Sequence, residues 1–285
     1  MKPFEKAMIK YIDTHSHLHD KAFDMDREKI IVELEKNSIA TIAIGTDYEE
    51  SLRAVALAKE NKYIYASVGM HPVDNRSEEF IKERYLDLAK EEKVVAIGEC
   101  GIDYFRLEQD RAAGFFVSTE TEKDRQRKLF EVQIELAVEV NKPLMLHGRP
   151  SKGTMDAYED MIEILRRARH HYGDKVRGNF HFFVGDMRIL EKVLALSTFT
   201  VSYSGVITFA KEYEDTVRAT PLEMLHVETD SPYASPAKYR GKRNEPLFIR
   251  EVISKIAELK GKEEEEVHAI LLKNAERVFA IKETF

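Results

Sequence analysis

The chain has 285 residues, 43% of them hydrophobic, enough for one large barrel or for two ordinary domains with a sizeable core. A formal net charge of −7 excludes a surface that is basic all over, so any contact with nucleic acid needs a local cationic patch. The single cysteine, Cys100, excludes an internal disulfide framework, and the opening "MKPFEKAMIKY" carries neither an apolar leader core nor a spanning run; a soluble, cytoplasmic protein without membrane contact is expected.

Short apolar runs rich in β-branched residues alternate with longer charged, amphipathic stretches along the whole chain. The first run is "KYIDTH" at residues 10–15, followed by a helix expected from about Asp24, ahead of Ile30, Ile31 and Leu34. Strands two to four are "IATIAIGT", "IYASVGMH" and "VVAIGECG". Leu129, Val132, Leu136 and Val140 then fall at i, i+3, i+7 and i+11, one face of a helix that stops before Pro143. "PLMLHGR", "NFHFF", "FTVSYSGV" and "MLHVETD" supply four more strands, mostly the continuous apolar runs of a parallel sheet buried on both faces. The acidic run "KGKEEEEVH" at residues 260–268 suits a solvated helix start, where carboxylates meet the positive end of the dipole. No Ser/Gly-rich linker interrupts the series. Strand–helix units repeating over about 250 residues predict one domain, 1–285, folded as a TIM (β/α)8 barrel with extra C-terminal helices. A doubly wound open sheet is the alternative, and it gives no reason for polar residues at nearly every strand end.

In a barrel of this kind the C-terminal rim of the strands carries the site. The polar residues at the ends of the apolar runs are Asp13, His15 and His17; His71; Glu99 and Asp103; His147 and Arg149; His181; and Asp230. Strand side chains alternate faces, so His15 and His17 share a face, and so do His147 and Arg149. Four imidazoles and two carboxylates converging on one rim are what borderline divalent cations need, without any thiolate, and a two-metal site follows. A lone histidine is more often a hydrogen-bonded loop residue. It is the distributed set, matching from strand to strand, that points to metal.

The ordered series "DTHSHLHD", "VGMHP", "IGECGIDY", "PLMLHGR", "FHFFVGD", "ETDSPY", "RNEP" and "NAERVF" resembles the TatD family of metal-dependent hydrolases in the amidohydrolase superfamily, over roughly residues 11–280. The resemblance implies a TIM barrel in which His15, His17 and Asp230 bind one metal, His147 and His181 a second, and Glu99 bridges them. Two departures stand out. The stretch from Phe105 to Arg127 is longer and more apolar, at Phe115 and Phe116, than the family pattern; it is read either as a lid or ring-binding surface or, preferably, as a loop packing its phenylalanines on neighbouring helices. His19 in "HLHD" is an extra residue before the aspartate and is left out of the metal set.

Two such cations can activate a water and neutralise the oxygens of a phosphodiester. Glu99 and Asp230 are the expected catalytic carboxylates, Asp230 either as ligand and proton acceptor or as ligand alone. His71 and Arg149 are the candidates for substrate binding, Arg149 through a bidentate phosphate contact or, equally, a salt bridge at the mouth. Lys238, Arg240, Lys242 and Arg243 after the last strand form either a phosphate-tracking face or a solvated loop, with Tyr239 expected to pack. Cys100 should face the helix layer as a core residue, His226 and Glu228 should support the site or fill the barrel, and His170, His171 and His268 read as surface. Asn274, Arg277 and Phe279 are expected on a helix docked to the barrel. Gly-x-Ser-x-Gly and phosphate-loop motifs are absent from the sequence. The leading expectation is therefore a metal-dependent phosphodiesterase, a TatD-like deoxyribonuclease acting on single-stranded or terminal DNA. A metal-dependent amide or ester hydrolase, such as a D-aminoacyl-tRNA deacylase, is the alternative, and a binding protein without turnover is disfavoured. Nitrogen and oxygen donors admit zinc, manganese or nickel, and a carboxylate-rich pair also admits magnesium.

Overall fold

A computed structural model of the chain describes residues 9–281, so part of the opening stretch, residues 1–8, lies outside the described residues. Eight strands run in parallel and in chain order around one sheet: β1 (Tyr11–Ser16), β2 (Ile39–Ile44), β3 (Ile64–Val68), β4 (Val94–Asp103), β5 (Leu144–Arg149), β6 (Gly178–Phe180), β7 (Phe199–Tyr203) and β8 (Leu225–Val227). Between and after them lie α1 (Arg27–Asn37), α2 (Tyr48–Glu60), α3 (Lys82–Ala89), α4 (Leu107–Ala112), α5 (Thr119–Glu139), α6 (Asp156–Tyr172), α7 (Met187–Leu194), α8 (Glu214–Ala219), α9 (Ile249–Lys260) and α10 (Glu264–Phe279). This is the expected TIM barrel, nearly closed. At the seam β1 and the chain after β8 are joined by Asp230 N–H donating to His15 O (2.9 Å) and His17 N–H donating to Ser231 O (2.7 Å). Among the described residues no helix is long and apolar enough to cross a membrane.

Two apolar layers follow from strand alternation. Leu18, Ile39, Ala43, Ile97, Cys100, Leu146 and Val201 pack outward against the helices; Cys100 is in the helix layer as expected of the residue after Glu99, and a register shift between Ile97 and Cys100 lets both face outward. Ile12, Ile42, Ile44, Tyr65 and Met145 fill the barrel interior, whose N-terminal end is closed by Ala275 and Phe279 of α10 and by Ile281. Asn274 fixes that helix by donating to Leu222 O (2.6 Å) and Leu225 O (2.9 Å), as expected of a docked helix.

Some local expectations shift. The first helix starts at Arg27 rather than Asp24, preceded by a short 3₁₀ turn over Lys21–Phe23. Arg27 itself reaches back to the carbonyls of Leu18, His19 and Asp20 and ties down the loop that follows β1. The buried face of α5 runs through Gln126, Leu129, Phe130, Gln133, Ile134 and Ala137. Its two glutamines hold rim loops: Gln133 accepts from Met70 N–H (2.8 Å) and donates to Met70 O (2.9 Å), and Gln126 accepts from Asp103 N–H (2.9 Å). His268 is half-buried, its ring stacked on Tyr11 at 4.3 Å, while His170 and His171 are exposed.

Candidate metal centre

The rim gathers most of the predicted site residues at one point. His15 and His17 face each other through Nε2 at 3.3 Å. Asp230 Oδ1 stands 3.6 Å from both nitrogens, and Glu99 Oε2 is 3.5 Å from His15 Nε2 and 3.9 Å from His17 Nε2. A tetrahedral ion with ligands at roughly 2.0–2.1 Å sets its donors about 3.3–3.4 Å apart, so these four atoms outline a shell of the right size. Orientation agrees with ligation. His17 Nδ1 lies 3.1 Å from Ile44 O; donation there leaves Nε2 with its lone pair toward the cluster.

The other oxygen of Glu99 faces a second set. Oε1 is 2.9 Å from His147 Nδ1 and 2.8 Å from His181 Nε2, and the two nitrogens are 3.4 Å apart. His71 Nε2 approaches the same oxygen at 3.8 Å, so a residue expected only to bind substrate stands within reach of this donor set. Glu99 thus presents one oxygen to each pair of imidazoles. Its position depends on Gly98, whose φ of +143° suits glycine alone and where a Cβ would run into the carbonyl oxygen of Met145.

Two further carboxylates contact the imidazoles from behind. Asp103 Oδ2 lies 3.2 Å from His147 Nε2, and Glu228 Oε1 lies 3.5 Å from His181 Nδ1. Glu228 is fully buried, accepting from Phe182 N–H (2.6 Å) and Ser202 O–H (2.5 Å). His15 stacks on His181 with centroids 3.8 Å apart, and one ring nitrogen of each lies within 4.8 Å of Glu228. Asp103 was expected only on the rim, and Glu228 either to support the site or to fill the barrel; it supports the site. Asp103 carried a signal, lying four residues beyond Glu99 in the same strand.

The electrostatics follow from this crowding. Burial would push Glu99 up, but the charge of His181 and hydrogen bonds from His147, His15 and His181 hold it well below the usual carboxylate range. Burial likewise opposes charge on His147, yet Asp103 and Glu99 raise it to about 9. His181 is raised well above its ordinary value against burial by Glu99 and Glu228. His15, buried beside His181, is lowered to about 4. Such a concentration of anionic oxygen and imidazole is what attracts a divalent cation, and the residues present fit one at either oxygen of Glu99.

The remaining polar residues take places of their own, some as expected and some not. Asp13 is a strut: it accepts from Thr229 N–H (2.8 Å), Thr229 O–H (2.7 Å) and His15 N–H (3.3 Å), locking β1 to the chain after β8. Asp230 does not reach the mouth by strand parity, since β8 ends at Val227 and Asp230 turns in the left-handed region at φ +56°. His226 lies toward the closed end of the barrel, near Phe279 (5.6 Å), where burial keeps it neutral with its pKa pushed down to about 3. His19 turns to Glu50 (3.3 Å). The basic loop after β8 does not line the cleft: Lys238 pairs with Glu251 (2.6 Å), Arg243 with Asp26 (2.7 Å), and Arg240 lies over Phe209. Tyr239 stacks on Phe248 at 3.7 Å, the packing role expected of it.

Above the donors opens a cleft of about 1490 Å³ whose lining includes His17, His71, Glu99, His147, Arg149 and Asp230. Arg149 is half-exposed, its guanidinium 4.0 Å above the ring of Phe105 and 4.0 Å from Asp103 Oδ2. A parallel eight-stranded barrel carries this donor cluster at its C-terminal rim, and its relatives make it a metal-dependent hydrolase. Residues 12–280 match the model of the TatD related DNases, and the chain belongs to the TatD family. It is 37% identical to the uncharacterized metal-dependent hydrolase YabD of Bacillus subtilis, over 94% of this chain and 98% of that protein. The uncharacterized metal-dependent hydrolase YcfH of Escherichia coli is 33% identical, over 95% of this chain and 96% of its own. Among solved structures, the TatD homologue YjjV of Escherichia coli superposes with a TM-score of 0.83 at 25% identity, covering 96% of this chain and 99% of that one. A TatD family hydrolase of Entamoeba histolytica shares the fold with a TM-score of 0.78 at 20% identity, covering 95% and 98%.

Proposed function

We propose that this hydrolase cleaves phosphodiester bonds in DNA, working on single strands or strand ends with two divalent cations. In this reading His15, His17 and Asp230 hold one ion, His147 and His181 the other, and Glu99 bridges them. The observation that carries it is the division of Glu99, with one carboxylate oxygen toward each imidazole pair. Bound cations supply an activated water and neutralise the oxygens of the phosphodiester. The chain's own residues do the rest. Asp230, beside His15 and His17 and open to the cleft, takes the proton of the attacking water. Arg149 presents a half-exposed guanidinium fork to a phosphate, and His71 borders the same space. The family name points to DNA as well.

The test is purified protein with added magnesium, manganese or zinc, supplied with labelled single-stranded DNA and, separately, an aminoacyl ester. Nucleotide release without ester cleavage supports the proposal. Ester cleavage with intact DNA would transfer the site to carbonyl chemistry, the deacylase alternative. His147→Ala and Asp230→Ala should abolish turnover with the fold intact; turnover retained in either refutes the role of that residue as a metal ligand or proton acceptor.

A further inference from the structure

The stretch between β4 and α5 forms a wall of the cleft, and its two neighbouring phenylalanines part company. Phe116 packs against the core, whereas Phe115 is 67% exposed and lines the cleft. The wall is anchored. Arg76, from the loop after β3, bonds Asp110 of α4 (2.7 Å) and Glu122 of α5 (3.3 Å), and its guanidinium lies 5.7 Å from the rings of both Phe115 and Phe116. Nearer the donors, Phe105 N–H donates to Asp103 Oδ1 (2.9 Å), so the carboxylate that touches His147 also sets the start of this wall. Along this arc the order from the donors outward is His147, Asp103, then Arg149 with its guanidinium 4.0 Å from the ring of Phe105.

Charge divides the cleft in the same direction. Asp20, Glu50 at the start of α2 and Asp74 line it on the side of β1 to β3, where Arg76 is turned to Asp110 and Glu122, whereas Arg106, Arg149 at the end of β5 and Lys152 line it on the side of β4 and β5. Asp103 and Asp110 on the cationic side are engaged with His147 and Arg76. A polyanion is therefore drawn to the β4–β5 arc. An exposed aromatic ring takes the face of any base that is free of its own stack, and a half-exposed guanidinium beside a ring has a fork to offer phosphate.

We propose that Phe105, Phe115 and Arg149 form a subsite for an unpaired nucleotide flanking the scissile phosphodiester, with the rings meeting the base and Arg149 its phosphate. The proposal rests on the nuclease reading above and makes the β4–β5 arc the path of the single strand. The experiment compares the metal-loaded full chain with Phe115→Ala and Phe105→Ala on two substrates: bis(p-nitrophenyl) phosphate, which has no flanking nucleotide, and labelled single-stranded DNA of graded length. For each variant, kcat/KM on DNA relative to that on the small diester should fall about tenfold, chiefly through KM, as expected for loss of one base-stacking contact. Equal losses on both substrates would overturn the subsite, because the rings would then be supporting the metal centre. Parental kcat/KM on both substrates would overturn it too, with the nuclease reading left standing. If the parent protein turns over neither substrate, the nuclease reading falls and the subsite falls with it.

Discussion

Replacing Glu228 separates the support of the imidazoles from the donors themselves. Its carboxylate meets His181 Nδ1 at 3.5 Å from a fully buried position and accepts from Phe182 N–H and Ser202 O–H. Glu228→Gln keeps the shape and an acceptor oxygen but removes the charge that orients and polarises His181. Loss of a carboxylate behind a metal-binding histidine costs about 10- to 100-fold in metal affinity, or about 1.4–2.7 kcal/mol. Glu228→Ala does more, stranding the Phe182 N–H and the Ser202 hydroxyl in the barrel at about 1–3 kcal/mol for each unsatisfied group. The two variants should therefore diverge: weakened cation binding with nearly parental thermal stability for Gln, and weakened binding with a clear loss of stability for Ala. Manganese titration by calorimetry, alongside thermal unfolding of the chelator-treated protein, reads both quantities. Parental affinity in Glu228→Gln would refute the argument, since it would mean that His181 is oriented without this charge.

The same chemistry yields further expectations. His147 is raised to about 9 from an ordinary 6.5, so a cation that takes its lone pair must displace a proton below that value. Manganese affinity should climb between pH 6.5 and 9 and then level, and an isotherm series flat across that window would contradict it. In the ion-free protein the sign is opposite. The charged imidazole stabilises the fold fully below pH 6.5, and that contribution is lost as pH rises through about 9, so the melting temperature with chelator present should fall over this range. Asp13→Ala removes the acceptor for two groups of Thr229 and for His15 N–H, and urea unfolding should show a loss of about 2–4 kcal/mol. Stability equal to the parent would mean that the barrel seam is held elsewhere. Asp103→Asn should lower metal affinity about tenfold by weakening the contact to His147 Nε2, and should shrink the fall in melting temperature of the chelator-treated protein as pH rises.

How far the sequence could be read depended on which physical rule placed each residue. His147 lies where alternation from Met145 fixes its face, whereas His15 and Glu99 sit at register shifts in β1 and β4, so that apolar runs with polar ends pointed to all three but alternation alone places only the first. The ladder carries His181 too, because its N–H still bonds Leu146 O (3.0 Å) one residue past β6. Asp230 is different. The strand stops three residues earlier, and the carboxylate reaches His15 and His17 only through a left-handed turn, so parity pointed to this residue for the wrong reason. That turn is held by Asp230 N–H on His15 O and by Asp13 gripping Thr229, contacts between parts of the chain more than 200 residues apart. Charge runs were legible only as charge. Whether Lys238 and Arg243 faced a substrate or a carboxylate depended on Glu251 and Asp26 arriving beside them, and local spacing carries no trace of that. The exposed ring of Phe115 has the same origin: Phe115 and Phe116 look identical in sequence, and only the folded loop, with Arg76 beside both rings, packs one on the core and leaves the other over the cleft. What alternation and helical period decide could thus be derived beforehand, whereas what loop closure decides had to await the folded chain. The rim loops of this barrel, on which substrate choice depends, belong to the second kind.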